Sequence, residues 1–181
     1  MTLFRNRYRI ESTRFKGWDY SNNGLYFVTI CTKNRNCCLG EIINNKFVKN
    51  DLSVILDNNI RKLPTHYSNC SLEEYIIMPN HIHLILKLYF EVETGLKPVS
   101  TEKPYCLKPV STCKQYSLTE IIRGLKTFSS KKINATRNTI GHPFWQKGYY
   151  DRIIRNEKEH WIIKNYIQNN PKNWSNDRNN I

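Results

Sequence analysis

The sequence predicts an α+β domain, a central and mostly antiparallel β-sheet with flanking helices. Three observations predict it. Apolar runs rich in β-branched and aromatic residues occur at 25–32, 70–78 and 81–89. Two amphipathic stretches of helical spacing begin near 51 and 118. A short strand and a third helical pattern follow, so the predicted order is β, β, α, β, β, insert, α, β, α.

Residues 25–32 follow the turn signal Asn23-Gly24 and read as a central strand. Residues 38–48 form a second strand pair about Asn44-Asn45, which suit a tight turn. Asp51 is the expected cap of a helix carrying Leu52, Ile55, Leu56, Ile60 and Leu63, with Pro64 as its stop. Strands 70–78 and 81–89 then meet at a Pro79-Asn80 corner. The motif Leu-Lys-Pro-Val-Ser-Thr occurs at 96–101 and again at 107–112, so residues 91–116 read as a loop insert without assigned chemistry. Ser117 and Glu120 make a capping box for a helix with Leu118, Ile121, Ile122, Leu125 and Phe128 on one face. Residues 144–155 turn into a last strand. Asn156 with Glu159 caps a final helix whose apolar positions are Trp161, Ile162, Ile163, Tyr166 and Ile167. The expected organisation is a basic, aromatic arm (1–20), one domain (21–174) holding the insert, and a polar tail (175–181) that frays.

The 181 residues carry 28 Lys+Arg against 15 Asp+Glu, a net charge of +13. The surplus sits at the ends: residues 121–181 hold twelve basic and four acidic residues, and residues 1–16 five and one. Such polarity predicts a polyanion, above all a nucleic acid. Arg123, Lys126, Lys131 and Lys132 on the capping-box helix are candidate phosphate contacts, as are Arg152 and Arg155. Trp18, Tyr20, Trp145 and Tyr149 are candidate stacking residues. The six cysteines show no C-x-x-C spacing, which argues against a zinc knuckle. No apolar run reaches the length of a membrane span, and the first residues lack the apolar segment of a signal peptide, so a cytoplasmic protein is expected.

The chemistry gathers at His81 and His83. At i and i+2 in a strand they project together, while Ile82, Leu84, Leu86 and Leu88 line the opposite face. Paired imidazoles can grip a divalent cation, Mg2+ or Mn2+, or can be two satisfied strand histidines. No carboxylate lies near the pair in sequence, so any third ligand comes from elsewhere. The last helix offers Tyr166 and Asn170, one turn apart on one face. A phenol activated by nearby positive charge could attack a phosphodiester there. Tyr166 equally suits an ordinary core position of an amphipathic helix.

The segment Met78-Pro79-Asn80-His81-Ile82-His83-Leu84 resembles the His–hydrophobic–His motif of HUH endonucleases. More closely, the chain resembles the single-tyrosine transposases that act on single-stranded DNA. Residues 26–32 are similar to that group's first strand. Trp145-Gln146 with 150–157, then 166–171, are similar to the C-terminal signature of REP-associated tyrosine transposases. The resemblance runs from about residue 16 to 174, outside the insert, and implies the ferredoxin-like HUH fold. It implies His81 and His83 as metal ligands, Asn170 as the third, and Tyr166 as a nucleophile that forms a 5′-phosphotyrosine. It also implies Mg2+ or Mn2+ as cofactor, single-stranded or hairpin DNA as partner, a monomer or homodimer, and a nucleoid-associated protein of a prokaryote. Two rival readings stay open: a non-catalytic protein that recognises repeat elements, and a metal-dependent hydrolase of small phosphoesters.

Overall fold

The structure, a computed structural model, describes residues 3–4, 7–8, 23–89 and 114–180. The expected arm and insert fall almost wholly outside these, Trp18 and Tyr20 included. Of the arm, β1 (Leu3–Phe4) pairs antiparallel with β2 (Arg7–Tyr8).

The central sheet is built from β3 (Gly24–Cys31), β6 (Cys70–Ile77), β7 (His81–Leu88) and β8 (Tyr150–Ile154). Its order is β6-β7-β3-β8, antiparallel throughout. With α1 (Asp51–Arg61) after β3 and α3 (Leu118–Thr136) after β7, this is the split βαβ arrangement of ferredoxin-like folds. A separate hairpin, β4 (Gly40–Ile43) with β5 (Lys46–Lys49), turns at Asn44-Asn45 as expected. Both turn residues take positive φ, 51° and 60°, the conformation a two-residue hairpin turn demands.

The alternation along β7 fixes which face is which. Ile82, Leu84 and Leu86 are fully buried with Tyr26, Val28 and Ile30 of β3. Leu56 and Ile60 of α1 and Leu118, Ile121, Ile122 and Leu125 of α3 cover them. Burying each such aliphatic side chain is worth about 1.5–3 kcal/mol. A one-residue slip would turn the leucines out of the core and the histidines into it, so the register is strongly held. The other face, bearing His81, His83 and Ile85, receives α4 (Glu157–Asn169) through Ile163 and Ile167. The two middle helices on one face and the last helix on the histidine face agree with expectation.

Several local expectations differ. The cap of α1 is Asn50 rather than Asp51: its side chain accepts from the Ser53 amide while the Ser53 hydroxyl accepts from the Asn50 amide. An amide at the cap leaves Asp51 in the first turn, where its charge suits the helix dipole. Pro64 does not stop a helix but sits in the first turn of a second short one, α2 (Leu63–His66), where its missing N–H costs nothing. Phe128 is 59% exposed and Ser129 takes the buried position instead, because its hydroxyl is satisfied by donating to the Leu125 carbonyl and accepting the Trp145 indole N–H. Only Ile163 and Ile167 of the five apolar positions named on α4 are buried; one helix lying across half a sheet face needs only a narrow stripe. Residues 174–180 pack rather than fray: Trp174–Asn176 forms a 3-10 turn and Asn179 is buried. No helix among the described residues is long and apolar enough to cross a membrane.

Candidate active site

The Pro79-Asn80 corner is tied to the end of β3, since the Thr32 amide and hydroxyl both donate to the Asn80 carbonyl. The Asn80 side chain is fully buried. Its Nδ2 donates to the carbonyls of Arg35 and Asn179, so its Oδ1 is oriented as an acceptor toward His81 Nδ1 at 2.8 Å. An amide oxygen only accepts; His81 therefore carries its proton on Nδ1 and presents a lone pair at Nε2. His83 Nδ1 meets the Thr29 hydroxyl at 2.8 Å. That hydroxyl can donate or accept, so His83 is free to hold either tautomer.

The two Nε2 atoms face each other at 3.0 Å. Two lone pairs at that distance repel unless a proton or a cation lies between them. Without a cation, His83 Nε2–H donates to His81 while Thr29 donates to His83 Nδ1. Were one held there, His83 would carry its proton on Nδ1, donate it to Thr29 and offer its Nε2 lone pair beside that of His81. Burial lowers the pKa of His81 to about 4, with Arg178 and Arg35 adding to the effect and Asp177 opposing it. Burial, His81 and Arg178 hold His83 well below the usual imidazole range. Both rings are neutral at pH 7, as cation ligands must be.

From α4, Tyr166 and Asn170 reach the same place. The Tyr166 hydroxyl lies 3.4 Å from His83 Nε2 and 3.4 Å from Asp177 Oδ2. Its ring packs edge-on against His83 and Phe27. Tyr166 is 40% exposed, which sets aside the reading of it as an ordinary core residue. Asn170 is buried; its Nδ2 donates to Asp177 Oδ2 at 3.2 Å, and its Oδ1 has no hydrogen-bond partner. An orphaned amide oxygen beside two convergent imidazole nitrogens is a donor set that fits a hard or borderline divalent cation.

Sequence reasoning missed Asp177. Its carboxylate, His81 and His83 bring ligand atoms within 4.8 Å of one another, close enough to hold a metal ion. The turns at 171–176 fold it back over the histidines, where Trp174 lies tilted against His81 with ring centroids 6.0 Å apart and the Asn179 carbonyl accepts from the Asn80 side chain. The available signal was slight: Asp177 is the single acidic residue after Glu159. Its charge also bears against ionisation of the phenol expected to act as the nucleophile. Burial and Asp177 raise the Tyr166 pKa, and the Asn170 hydrogen bond and Arg178 only partly offset them.

The six basic candidates do not gather at one surface. Arg123, Lys131 and Lys132 are exposed on α3, on the far face of the sheet from the histidines. Lys126 is half-buried and donates to the carbonyls of Gln146 and Gly148 at 2.7 and 2.6 Å, so it pins the turn before β8. Arg152 pairs with Glu159 at 2.9 Å, across the gap between β8 and α4. Arg155 is exposed beside it. Trp145 is buried with its indole N–H donated to Ser129, which removes it as a stacking platform.

A protein of Haemophilus influenzae described as uncharacterized is 34% identical over 172 residues, covering 93% of this chain and 91% of the relative. A solved structure of a REP-associated tyrosine transposase bound to a REP hairpin aligns over 96% of this chain and 74% of its own, with TM-score 0.51 and 18% identity, a likeness of fold. The family described as transposase IS200 like matches residues 96–170, a span that includes Tyr166 and Asn170. The chain belongs to the IS200-like transposase family.

Proposed function

We propose that the chain is a metal-dependent single-stranded DNA endonuclease and strand transferase, which cuts hairpin or palindromic repeat DNA through a 5′-phosphotyrosine on Tyr166. The observation that carries this is the phenol oxygen of Tyr166, 3.4 Å from a histidine nitrogen whose neighbour is a second one. His81, His83 and Asn170 would hold Mg2+ or Mn2+, with the Asp177 carboxylate as a further oxygen. Bound there, the ion would polarise a non-bridging phosphate oxygen and offset developing charge.

The protein's own groups account for the rest. Asp177 Oδ2 is the carboxylate within reach of the Tyr166 hydroxyl and takes its proton. The phenol oxygen bonds to phosphorus, and the bond from phosphorus to the 3′-oxygen breaks. The leaving oxygen takes up a proton as a 3′-hydroxyl, and the 5′-phosphate stays on Tyr166. Attack by another 3′-hydroxyl reverses these bonds, joins the strands and frees the tyrosine. Phe27 and His83 pack the phenol ring so that little ordering remains at the moment of attack. Because α4 packs on its own sheet, Tyr166 serves the histidines of the same chain, which supports catalysis within one subunit. The hairpin in the aligned transposase structure supports hairpin DNA as the substrate here, and a protein doing such work would act in the cytoplasm, at the nucleoid.

The test is incubation with labelled single-stranded hairpin DNA and Mn2+. A denaturation-resistant DNA–protein adduct should form, vanish in Tyr166→Phe and vanish with chelator. DNA binding without any adduct would favour the non-catalytic reading.

A further inference from the structure

The histidine face of the sheet is closed on three sides. Toward β6, Gln168 donates to Glu74 and Lys164 pairs with it, tying α4 to that edge. Toward the start of β7, Trp174 and Asn179 cover His81 and Asn80. Toward its other end, Ile163 and Ile167 seal Ile85 and Ile154. The remaining side is the edge strand β8.

Register shows what stands there. Tyr150 is opposite Thr29, and Thr29 is opposite His83, so all three side chains share one face. Two strand spacings separate Tyr150 from His83, about 10 Å. Tyr150 is 46% exposed on β8, the edge strand of the sheet among the described residues, and Arg152, two residues on, projects from the same face. Facing them on α4, Ile162 and Tyr166 are one turn apart and both exposed. The Arg152–Glu159 ion pair bridges strand and helix beyond Tyr150. An aromatic ring thus stands at the open approach to Tyr166, without work in the core.

We propose that Tyr150 is a stacking platform for a base of the single strand that enters the site, next to the phosphate that Tyr166 attacks. This rests on the cleavage reading above. Stacking is indifferent to base identity because every base offers a π-face, so Tyr150 would position the strand without reading its sequence. The ligand class is single-stranded DNA, entering along β8 rather than over β6, where the Gln168 and Lys164 contacts to Glu74 tie α4 down to the sheet.

The test uses the full chain, with a fluorescein-labelled 20-nucleotide oligodeoxythymidine as the probe. Tyr150→Ala should weaken binding between about 5-fold and 100-fold. Tyr150→Trp should keep parental affinity, and Tyr150→Leu, similar in bulk without the ring, should behave as Ala. A probe bearing 5-iododeoxyuridine should photocrosslink to the peptide containing Tyr150. Tyr150→Ala binding within twofold of the parent, or crosslinks confined to Trp161 or Trp174, would overturn the stacking role while leaving the adduct at Tyr166 to stand. A parent that neither binds the probe nor forms the adduct would overturn the cleavage reading, and the stacking role with it.

Discussion

Lowering the pH toward 5 with chelator present should destabilise this protein in a range where most domains are indifferent. His81 is buried and its pKa is lowered from 6.5 to about 4, first by burial and then by Arg178 and Arg35, against the pull of Asp177. The sign follows from the folded value lying below the unfolded one. Between those values the unfolded chain binds more protons, so the stabilisation is complete above pH 6.5 and is lost as pH falls toward 4. At about 1.4 kcal/mol per pH unit, His81 alone accounts for about 2 kcal/mol of the loss between pH 7.5 and 5. His83 is lowered for the same principal reason and adds in the same direction. The depressed carboxylates Asp57, Glu120 and Glu159 are lowered from ordinary values of 3.8, 4.5 and 4.5, so their contributions change mainly below pH 5. The assay is urea denaturation followed by tryptophan fluorescence, with chelator present, at pH 7.5, 6 and 5. A loss of at least about 2 kcal/mol is expected. A flat profile, or a gain on acidification, would refute the reasoning that both rings are buried and neutral.

Three further outcomes follow from particular contacts. Thr29→Val removes the hydroxyl that serves either tautomer of His83; Mn2+ affinity by calorimetry should fall about 10- to 100-fold, and Thr29→Ser should retain it. Lys126→Met leaves the Gln146 and Gly148 carbonyls short of a donor and should cost about 1–3 kcal/mol in thermal stability. It should leave the salt dependence of DNA binding unchanged, whereas any of Arg123, Lys131 or Lys132 that contacts a phosphate should, on change to Ala, reduce the slope by about 1. Gly124→Ala ordinarily favours a helix by about 1 kcal/mol, yet here the new methyl overlaps the Tyr67 hydroxyl, whose ring is wedged edge-on against Tyr116. A net destabilisation of about 1–3 kcal/mol is expected, read from the melting temperature.

What could be read from the sequence was whatever depends on period. Alternation along β7 separates His81 and His83 from Leu84 and Leu86, and one helical turn joins Tyr166 to Asn170; both relations hold in the fold. Helix capping at Ser117 and Asn156 was likewise local chemistry. What escaped depends on long-range packing. Asp177 reaches the site because six residues of turn fold back over histidines that lie far earlier in the chain, at 81 and 83, and no local pattern encodes that return. Trp161 and Ile162 looked equivalent to Ile163 because the apolar positions of α4 occupy a wider arc than the sheet can cover. Lys126 looked like a solvent-facing charge because its two carbonyl partners lie 20 and 22 residues away. Tyr149 and Tyr150 are adjacent, yet only the strand register tells which one faces the histidines.

The central claim is that Tyr166 attacks phosphorus beside the His81–His83 pair, and peptide mapping of the covalent product tests it most directly. The full chain is incubated with hairpin DNA and Mn2+, digested with protease and nuclease, and analysed by mass spectrometry. The account predicts one modified peptide, carrying a 5′-linked nucleotide on Tyr166, together with a free 3′-hydroxyl on the released strand. A nucleotide found on Tyr150 or Tyr149, or joined through its 3′-phosphate, would contradict it.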